Sequence, residues 1–212
     1  MALQKSVPRI VVSRLPVYLR ALQHMAQEGK VVTSSQELAQ RLGTTSAQIR
    51  KDLSYFGEFG RQGMGYEVQY LMQQLRRILH VDREWPVALV GVGDLGRALA
   101  HYAGFPPEGF RIVAAFDNDP RKIGQSLAGL TIQDSAHLRE VIARERLKVA
   151  IIAVPASGAQ SVADELIAGG IRAILNYAPI TLNVPEGVQV QYVDPVVHLQ
   201  RMTFYLDEEE QG

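Results

Sequence analysis

Three glycines in Gly91-Val92-Gly93-Asp94-Leu95-Gly96 stand between a short apolar run, Trp85 to Val90, and a helical run through Arg97, Ala98, Leu99 and Ala100. Glycine at these spacings lets a backbone wrap a pyrophosphate at a helix N-terminus. The first permits the tight turn, the second the close approach of the phosphates, the third the packing of helix on strand. A further apolar run, Arg111 to Phe116, ends on Asp117. A carboxylate at that strand end can accept from the adenosine ribose hydroxyls and would repel a 2′-phosphate, so the pattern expects NAD(H) rather than NADP(H). By itself Asp117 would be a turn residue of Asp117-Asn118-Asp119-Pro120; the order strand, glycines, helix, strand, carboxylate gives it weight.

A second group of residues carries a different chemistry. Between Thr45 and Phe56, Ile49, Leu53 and Phe56 share one helix face. At 100° per residue, Ala47, Gln48, Lys51, Ser54 and Tyr55 fall opposite, with Arg50 at the edge. An amide, a hydroxyl, a phenol and two cations on one stripe suit phosphates and base edges in a major groove. The alternative is the solvated face of an ordinary helical cluster. Directly after it, the glycine-rich Phe56 to Tyr66 reads as a tight β-hairpin with Arg61 at its tip, placed to reach a phosphate or a minor groove. A hairpin behind a helix-turn-helix makes the module winged.

The elements that must position these groups are legible in the periodicity. Ser13 is expected to cap a first helix with Pro16 in its first turn, Leu15, Leu19, Leu22 and Ala26 on its apolar face, and Gly29 as its stop. Ser34 with Glu37, and Thr45 with Gln48, have capping-box spacing for two short helices joined at Gly43. An amphipathic helix follows from Val68 to Leu79. Beyond it strands and helices alternate: a helix near 134–144, a strand 149–154, a helix 159–168, strands at 172–175 and near 188–193. That alternation expects a doubly wound α/β fold, a Rossmann-type parallel sheet with helices on both faces. Val154 and Pro155, and Asn176, Tyr177, Ala178 and Pro179, would then line the ligand crevice at the strand C-termini. Asp194-Pro195 has the form of a cap and first turn for a last helix. Val196, Val197, Leu199, Met202, Phe204, Tyr205 and Leu206 surround that helix with apolar groups, so it needs cover on every side, from a partner subunit or from between the chain's own domains. Asp207 to Glu210 read as a solvated tail. The organisation expected is therefore a winged domain over 1–80, a nucleotide domain over 81–194 and a terminal helix with acidic tail over 195–212.

Composition agrees with this division. The 212 residues carry 22 basic and 22 acidic side chains, yet residues 1–80 hold 11 basic against 5 acidic. A neutral total with a basic front half points to an anionic partner at that end. There is no Cys, no run of 18 apolar residues and no charged-then-apolar leader, which expects a soluble, cytoplasmic protein without disulfides or thiolate metal sites and with neither a membrane nor a metal as partner. An NAD-dependent dehydrogenase with a basic N-terminal domain would need an acid–base near the nicotinamide. No Tyr is followed by Lys four residues on, and His24, His80, His101, His137 and His198 form no motif, His101 alone lying near the glycine loop. A CoA-binding module would share the glycine loop but leave the first eighty residues unexplained.

In Arg50-Lys51-Asp52-Leu53-Ser54-Tyr55-Phe56-Gly57, the stretch Gly63 to Tyr66, the glycine loop, Phe116 to Pro120, Ile174 to Pro179 and Val193-Asp194, the chain resembles the Rex family of redox-sensing transcriptional repressors over nearly its whole length. The resemblance implies a homodimer that binds double-stranded operator DNA when NAD⁺ predominates and releases it when NADH binds, with no catalysis. It also implies that the last helix swaps onto the partner, and that Arg20, Tyr102 and Asp194 form a polar network altered by the cofactor. Read alone, those three are a surface cation, a loop aromatic and a helix cap. Pro195 departs from the bulky apolar residue that some members place there, and Asp94 puts a charge where the loop is often uncharged or basic.

Overall fold

A computed structural model describes residues 7–60 and 64–210. The chain divides into two compact units, Met1–Arg83 and Glu84–Gly212.

In the first unit α1 (Arg9–Gln27) packs on α2 (Ser35–Leu42), α3 (Ser46–Ser54) and α4 (Val68–Ile78) around Leu15, Leu22, Met25, Leu38, Ile49, Leu71 and Leu75, all fully buried. The first helix begins earlier than the cap at Ser13 would have it. Val11 is already buried, so the apolar face runs one turn further back, and the Ser13 hydroxyl instead donates to the Ile10 carbonyl. Pro16 therefore sits inside the helix, where its ring removes one i→i−4 bond; the buried face on either side outweighs that loss. The two short helices start as the spacing expects: Ser34 Oγ accepts from the Glu37 N–H at 3.1 Å, and Thr45 Oγ1 from the Gln48 N–H at 3.2 Å. Gly43 closes α2 at φ 63°.

The stretch from Phe56 to Tyr66 is not a self-contained hairpin in its described residues. β2 (Tyr66–Glu67) pairs antiparallel with β1 (Val32–Thr33), upstream of α2, while 57–60 carry no strand. Glycine explains the path: a side chain at Gly60 or Gly65 would collide with the Gly65 or Thr33 carbonyl respectively, so the loop doubles back more closely than any ladder of side chains allows. Arg61 lies outside the described residues.

The second unit is a seven-stranded sheet ordered β5-β6-β4-β3-β7-β8-β9, with strands β3 (Trp85–Val90), β4 (Phe110–Asp117), β5 (Ser126–Leu127), β6 (Leu130–Asp134), β7 (Val149–Ile152), β8 (Ala173–Asn176) and β9 (Gln189–Tyr192). All pairs are parallel except β5–β6, a hairpin turned by Ala128 and Gly129 at positive φ that the sequence reading had not marked. Leaving β5 aside, the order is that of a dinucleotide-binding sheet. Register places Val90 between Phe116 and Ile152, so Gly91, Asp117 and Ala153 leave the sheet side by side.

Helices lie on both faces of the sheet, as expected, but cover them unequally. α6 (Leu138–Glu145) and α7 (Ala156–Gly169) share one face, burying Ile142, Ala163 and Leu166 against Val90, Phe116 and Ile152. Among the described residues, only α5 (Asp94–Ala100) is an α-helix on the other face, while the β8–β9 connection packs through Ala178, Leu182 and Val188 on the side of α6 and α7. What α5 leaves uncovered is an apolar groove of about 360 Å³ along Val87, Phe105, Ile112, Val149, Ile151 and Leu175. α8 (Pro195–Glu210) continues through the residues expected to be a tail, and its Val196, Leu199, Met202, Phe204 and Leu206 are each 58–65% exposed.

Candidate nucleic-acid interface and nucleotide site

On α3 the stripe read from the sequence divides into free and committed groups. Arg50, Lys51 and Ser54 are exposed. Arg50 donates to Ser35 Oγ at 3.0 Å, across to the first turn of α2, and Ser54 Oγ donates to the Lys51 carbonyl at 2.7 Å. Tyr55 is half-buried at the helix end. A cleft of about 830 Å³ opens between α2, α3 and residues 57–60, with Ser34, Ser35, Arg50 and Ser54 on its wall. Hydroxyls, a guanidinium and the first-turn N–H groups of two helices suit a phosphate backbone.

Gln48 is turned the other way. Its amide donates to Asp52 Oδ1 at 2.7 Å, on the buried side of the helix. Asp52 is fully buried and takes Arg14 in a two-pronged pair, Nε to Oδ2 at 2.6 Å and Nη2 to Oδ1 at 2.8 Å, with the Tyr18 hydroxyl donating to Oδ2 at 2.7 Å. Burial alone would raise the Asp52 pKa; the bonds from Arg14, Tyr18 and Gln48 outweigh it and hold the carboxylate below its ordinary range. Burial, then the bond to Asp52, pushes the Tyr18 phenol up to about 12. Sequence reading passed over this cluster. The available signal was a carboxylate on the apolar side of α3, next to Ile49 and Leu53, which a buried partner must explain.

In the second unit the three glycines have distinct jobs. Gly91 stands at φ 94°, and a Cβ there would lie 2.5 Å from the Ala153 carbonyl oxygen. A Cβ at Gly96 would collide with the Gly91 carbonyl, so α5 can pack on the loop only through glycine. Gly93 has ordinary φ, −80°, and a Cβ there meets nothing within 4 Å. Only Gly93 thus leaves room that the protein does not fill, where a pyrophosphate would approach. Val92 is buried beneath the loop; Asp94 and Leu95 are exposed at the start of α5.

Asp117 closes this corner. Its Oδ2 accepts from the Val92 N–H at 2.7 Å and from Lys122 Nζ at 3.0 Å, and its Oδ1 from the Asp119 N–H at 2.9 Å. Burial would raise its pKa, but the Asp119 and Val92 amides and then Lys122 keep it low, so it stands ionised toward the site. Lys122 escaped the sequence reading because nothing in the spacing joins a lysine to a strand end through an Asp-Pro turn.

At the other strand ends the crevice is shaped rather than charged. Asn176 is buried and spends its side chain on its own loop: Nδ2 donates to the Ala178 and Ile180 carbonyls and Oδ1 accepts from the Ala178 N–H, at 3.0–3.1 Å. It fixes Tyr177, Ala178 and Pro179 in place. Burial and the nearby Tyr102 phenol raise the Tyr177 pKa. Ala178 is buried, and Val154 and Pro155 run from β7 into the first turn of α7. Tyr102 is 54% exposed and packs edge-on against Phe105 at 5.0 Å. Asp194 Oδ1 accepts from the Val196 N–H at 2.9 Å as the cap of α8, and Arg20 is exposed on α1. Among the described residues no group of three His, Asp or Glu could hold a metal ion, and no helix is long and apolar enough to cross a membrane.

Residues 6–54 match a family described as putative DNA-binding protein N-terminus, and residues 82–180 one described as CoA binding domain. The redox-sensing transcriptional repressor Rex of Chloroflexus aurantiacus is 58% identical over 204 residues, 96% of each chain. The Rex of Streptomyces coelicolor is 45% identical over 95% of this chain and 78% of its own. A crystal structure of RSP in complex with β-NAD⁺ and operator DNA superposes with a TM-score of 0.92 at 37% identity, over 97% of this chain and 94% of that one. RSP in complex with β-NADH gives 0.88 at 34% identity, over 98% and 97%. With a winged helix-turn-helix in one unit, a dinucleotide-type sheet in the other and these likenesses spanning both, the chain belongs to the Rex family of redox-sensing transcriptional repressors.

Proposed function

We propose that the chain acts as a homodimeric, cytoplasmic, non-catalytic repressor that holds double-stranded operator DNA and lets it go when NADH binds. DNA meets Arg50, Lys51, Ser54, Tyr55 and Arg61; Gln48 belongs to the same helix but faces inward. NAD⁺ and NADH lie across Gly91 to Gly96, with the ribose on Asp117 and the nicotinamide end toward Val154, Pro155 and the loop from Asn176 to Pro179. The observation that carries the nucleotide assignment is the pairing of a low-pKa Asp117, tied to the Val92 amide, with the unfilled space at Gly93.

The dimer reading rests on two complementary surfaces of one unit, the apolar α8 and the apolar groove over β3, β7 and β8. Laying each on its counterpart in a second copy covers both. A symmetric dimer then reads a two-fold operator with half-sites about one helical turn, or a multiple, apart. NADH can lower operator affinity only by favouring a conformation that DNA disfavours, and operator must in turn weaken NADH binding by the same factor. Arg20, Tyr102 and Asp194 are the groups assigned to that switch.

The test is a gel shift on DNA selected from a random pool, with NADH and NAD⁺ added in turn, for the full chain and for a chain ending at Pro195. The full chain is expected to be a dimer that releases DNA on NADH; the shortened one is expected to lose both properties. A shortened chain that stays dimeric and still releases DNA would refute the route through α8. Oxidation or reduction of nicotinamide against a panel of alcohols and hydroxy acids would turn the reading toward a dehydrogenase.

A further inference from the structure

Among the described residues, the buried carboxylate on the recognition helix is the buried charged group that neither the DNA surface nor the nucleotide site uses. Asp52 and Gln48 are one turn apart on α3, Arg14 and Tyr18 one turn apart on α1, and the four side chains meet as a closed set. Each carboxylate oxygen accepts two bonds, so the acceptor sites of Asp52 are filled. Tyr18 is as buried as Asp52, whereas Arg14 reaches it with its side chain 30% exposed. Apolar contacts at Ile49 and Leu53 would hold α3 down but would tolerate rotation and sliding along α1. Two-pronged pairing to a guanidinium fixes both at once.

We infer that Asp52 is a positioning residue for DNA recognition: it locks α3 onto α1 in one rotation, and it draws Gln48 inward so that Gln48 does not read a base. The inference rests on the reading that the exposed face of α3 meets DNA. Lys51 and Asp52 are neighbours in sequence, so the rotation that buries one presents the other. A slack helix would keep its cations near phosphates while losing the alignment that base edges demand, since sequence is read by geometry and phosphates largely by charge. The signature is therefore a fall in the ratio of operator to random-sequence affinity, with the salt slope unchanged.

The experiment measures binding of the full chain to selected operator and to random duplex across a salt series, at a temperature where each variant is folded. Asp52→Asn keeps the shape but puts an amide against three sets of donors; the operator-to-random ratio is expected to fall about tenfold or more with the slope intact. Should that variant show no folding transition, Tyr18→Phe removes one of the four bonds without changing volume, and a fall of about threefold is expected. Gln48→Ala is expected to leave base preference unchanged at every operator position. A ratio unaltered in whichever of Asp52→Asn and Tyr18→Phe is folded would overturn the positioning role even if the melting temperature drops. Loss of preference at one base pair in Gln48→Ala, about tenfold, would overturn the claim that Gln48 is withheld. Lys51→Ala separates the underlying reading: if it leaves affinity and salt slope untouched, α3 does not face DNA and both inferences fall.

Discussion

Asp52 in the first unit and Asp117 in the second are both buried carboxylates held ionised, yet their donors differ in kind. Asp52 is met by four donor atoms on three side chains, and two of those side chains, Arg14 and Tyr18, come from a different helix. Asp117 is met by two main-chain amides and one lysine, all local to the strand end and glycine loop, and keeps 6% of its surface exposed. A carboxylate has about four acceptor sites. The first is saturated and can only hold protein to protein. The second keeps capacity toward the one open side of its corner, where backbone amides, which cannot swing away, have already oriented it. Burial marks a carboxylate as consequential; the source of its donors says whether it clamps or binds.

Removing the clamp should cost the most. Asp52→Ala leaves Arg14 and Tyr18 without their acceptor in a buried setting, and a loss of about 2–4 kcal/mol is expected, at the lower side of buried-pair values because Arg14 can turn toward water. Asp117→Ala, which leaves the buried Val92 amide without its acceptor but the half-buried Asp119 amide and Lys122 able to turn to water, should lose about 1–2 kcal/mol. Denaturant melts of the two variants side by side check the order, and a reversed order would break the distinction. The same carboxylates set an acid limb. Both pKa values lie below the ordinary 3.8, so the stability they contribute is complete above that pH and is lost as pH falls through the folded-state values. Asp52→Ala and Asp117→Ala should each flatten that limb in melts taken between pH 5 and pH 2.

Next in size is the nucleotide side. Gly93→Ala adds a methyl at ordinary φ into space that the protein leaves empty, so folding should be unaffected while NADH affinity drops about tenfold or more, about 1.4 kcal/mol. Gly96→Ala carries the same methyl into the Gly91 carbonyl and should lower stability along with affinity. Calorimetry with melts separates them; equal stability of the two would mean that α5 can back away from the loop. For the ribose, Asp117→Asn removes the charge that repels a 2′-phosphate and frees Lys122 to attract it. The NADH-over-NADPH preference should fall about tenfold, roughly 1–2 kcal/mol. A wild type with equal affinities for the two would sink the assignment.

This contrast also explains what the sequence could disclose. The glycine loop, Asp117 and the caps at Ser34 and Thr45 were legible because each acts through main chain close in sequence, where residue type and spacing carry the geometry. The cluster on Asp52 joins residues 34 to 38 positions apart, and no local period encodes that. The pairing of Tyr66–Glu67 with Val32–Thr33 was missed for the same reason: a local glycine-rich run favoured a hairpin with itself, while the strand partner lay before α2. The start of α1 was misplaced because Ser13 has cap chemistry but Val11, buried in the packed unit, needs the helix to begin sooner. The groove over β3, β7 and β8 depends on how far one short helix, α5, reaches across the sheet, which the period of its apolar residues does not state.

The smallest effect expected is at the helix starts. Ser34 and Thr45 each satisfy one amide of the first turn, at 3.1 and 3.2 Å. Both have capping-box spacing, yet in the first box Glu37 does not return to Ser34: its carboxylate goes to Lys30 and to Thr33 Oγ1. That box is half made, and the Ser34 cap should be worth its single bond. Ser34→Ala and Thr45→Ala should each cost about 1 kcal/mol, and the glycine variants only a few tenths, because glycine leaves the amide to water. Recognition should separate them from the clamp: with α3 still locked by Asp52, Thr45→Ala should lower the melting temperature by a few degrees while leaving the operator-to-random ratio as it was. A Thr45→Ala protein that lost that ratio without losing stability would mean that the start of α3, rather than its grip on α1, sets the angle at which it meets DNA.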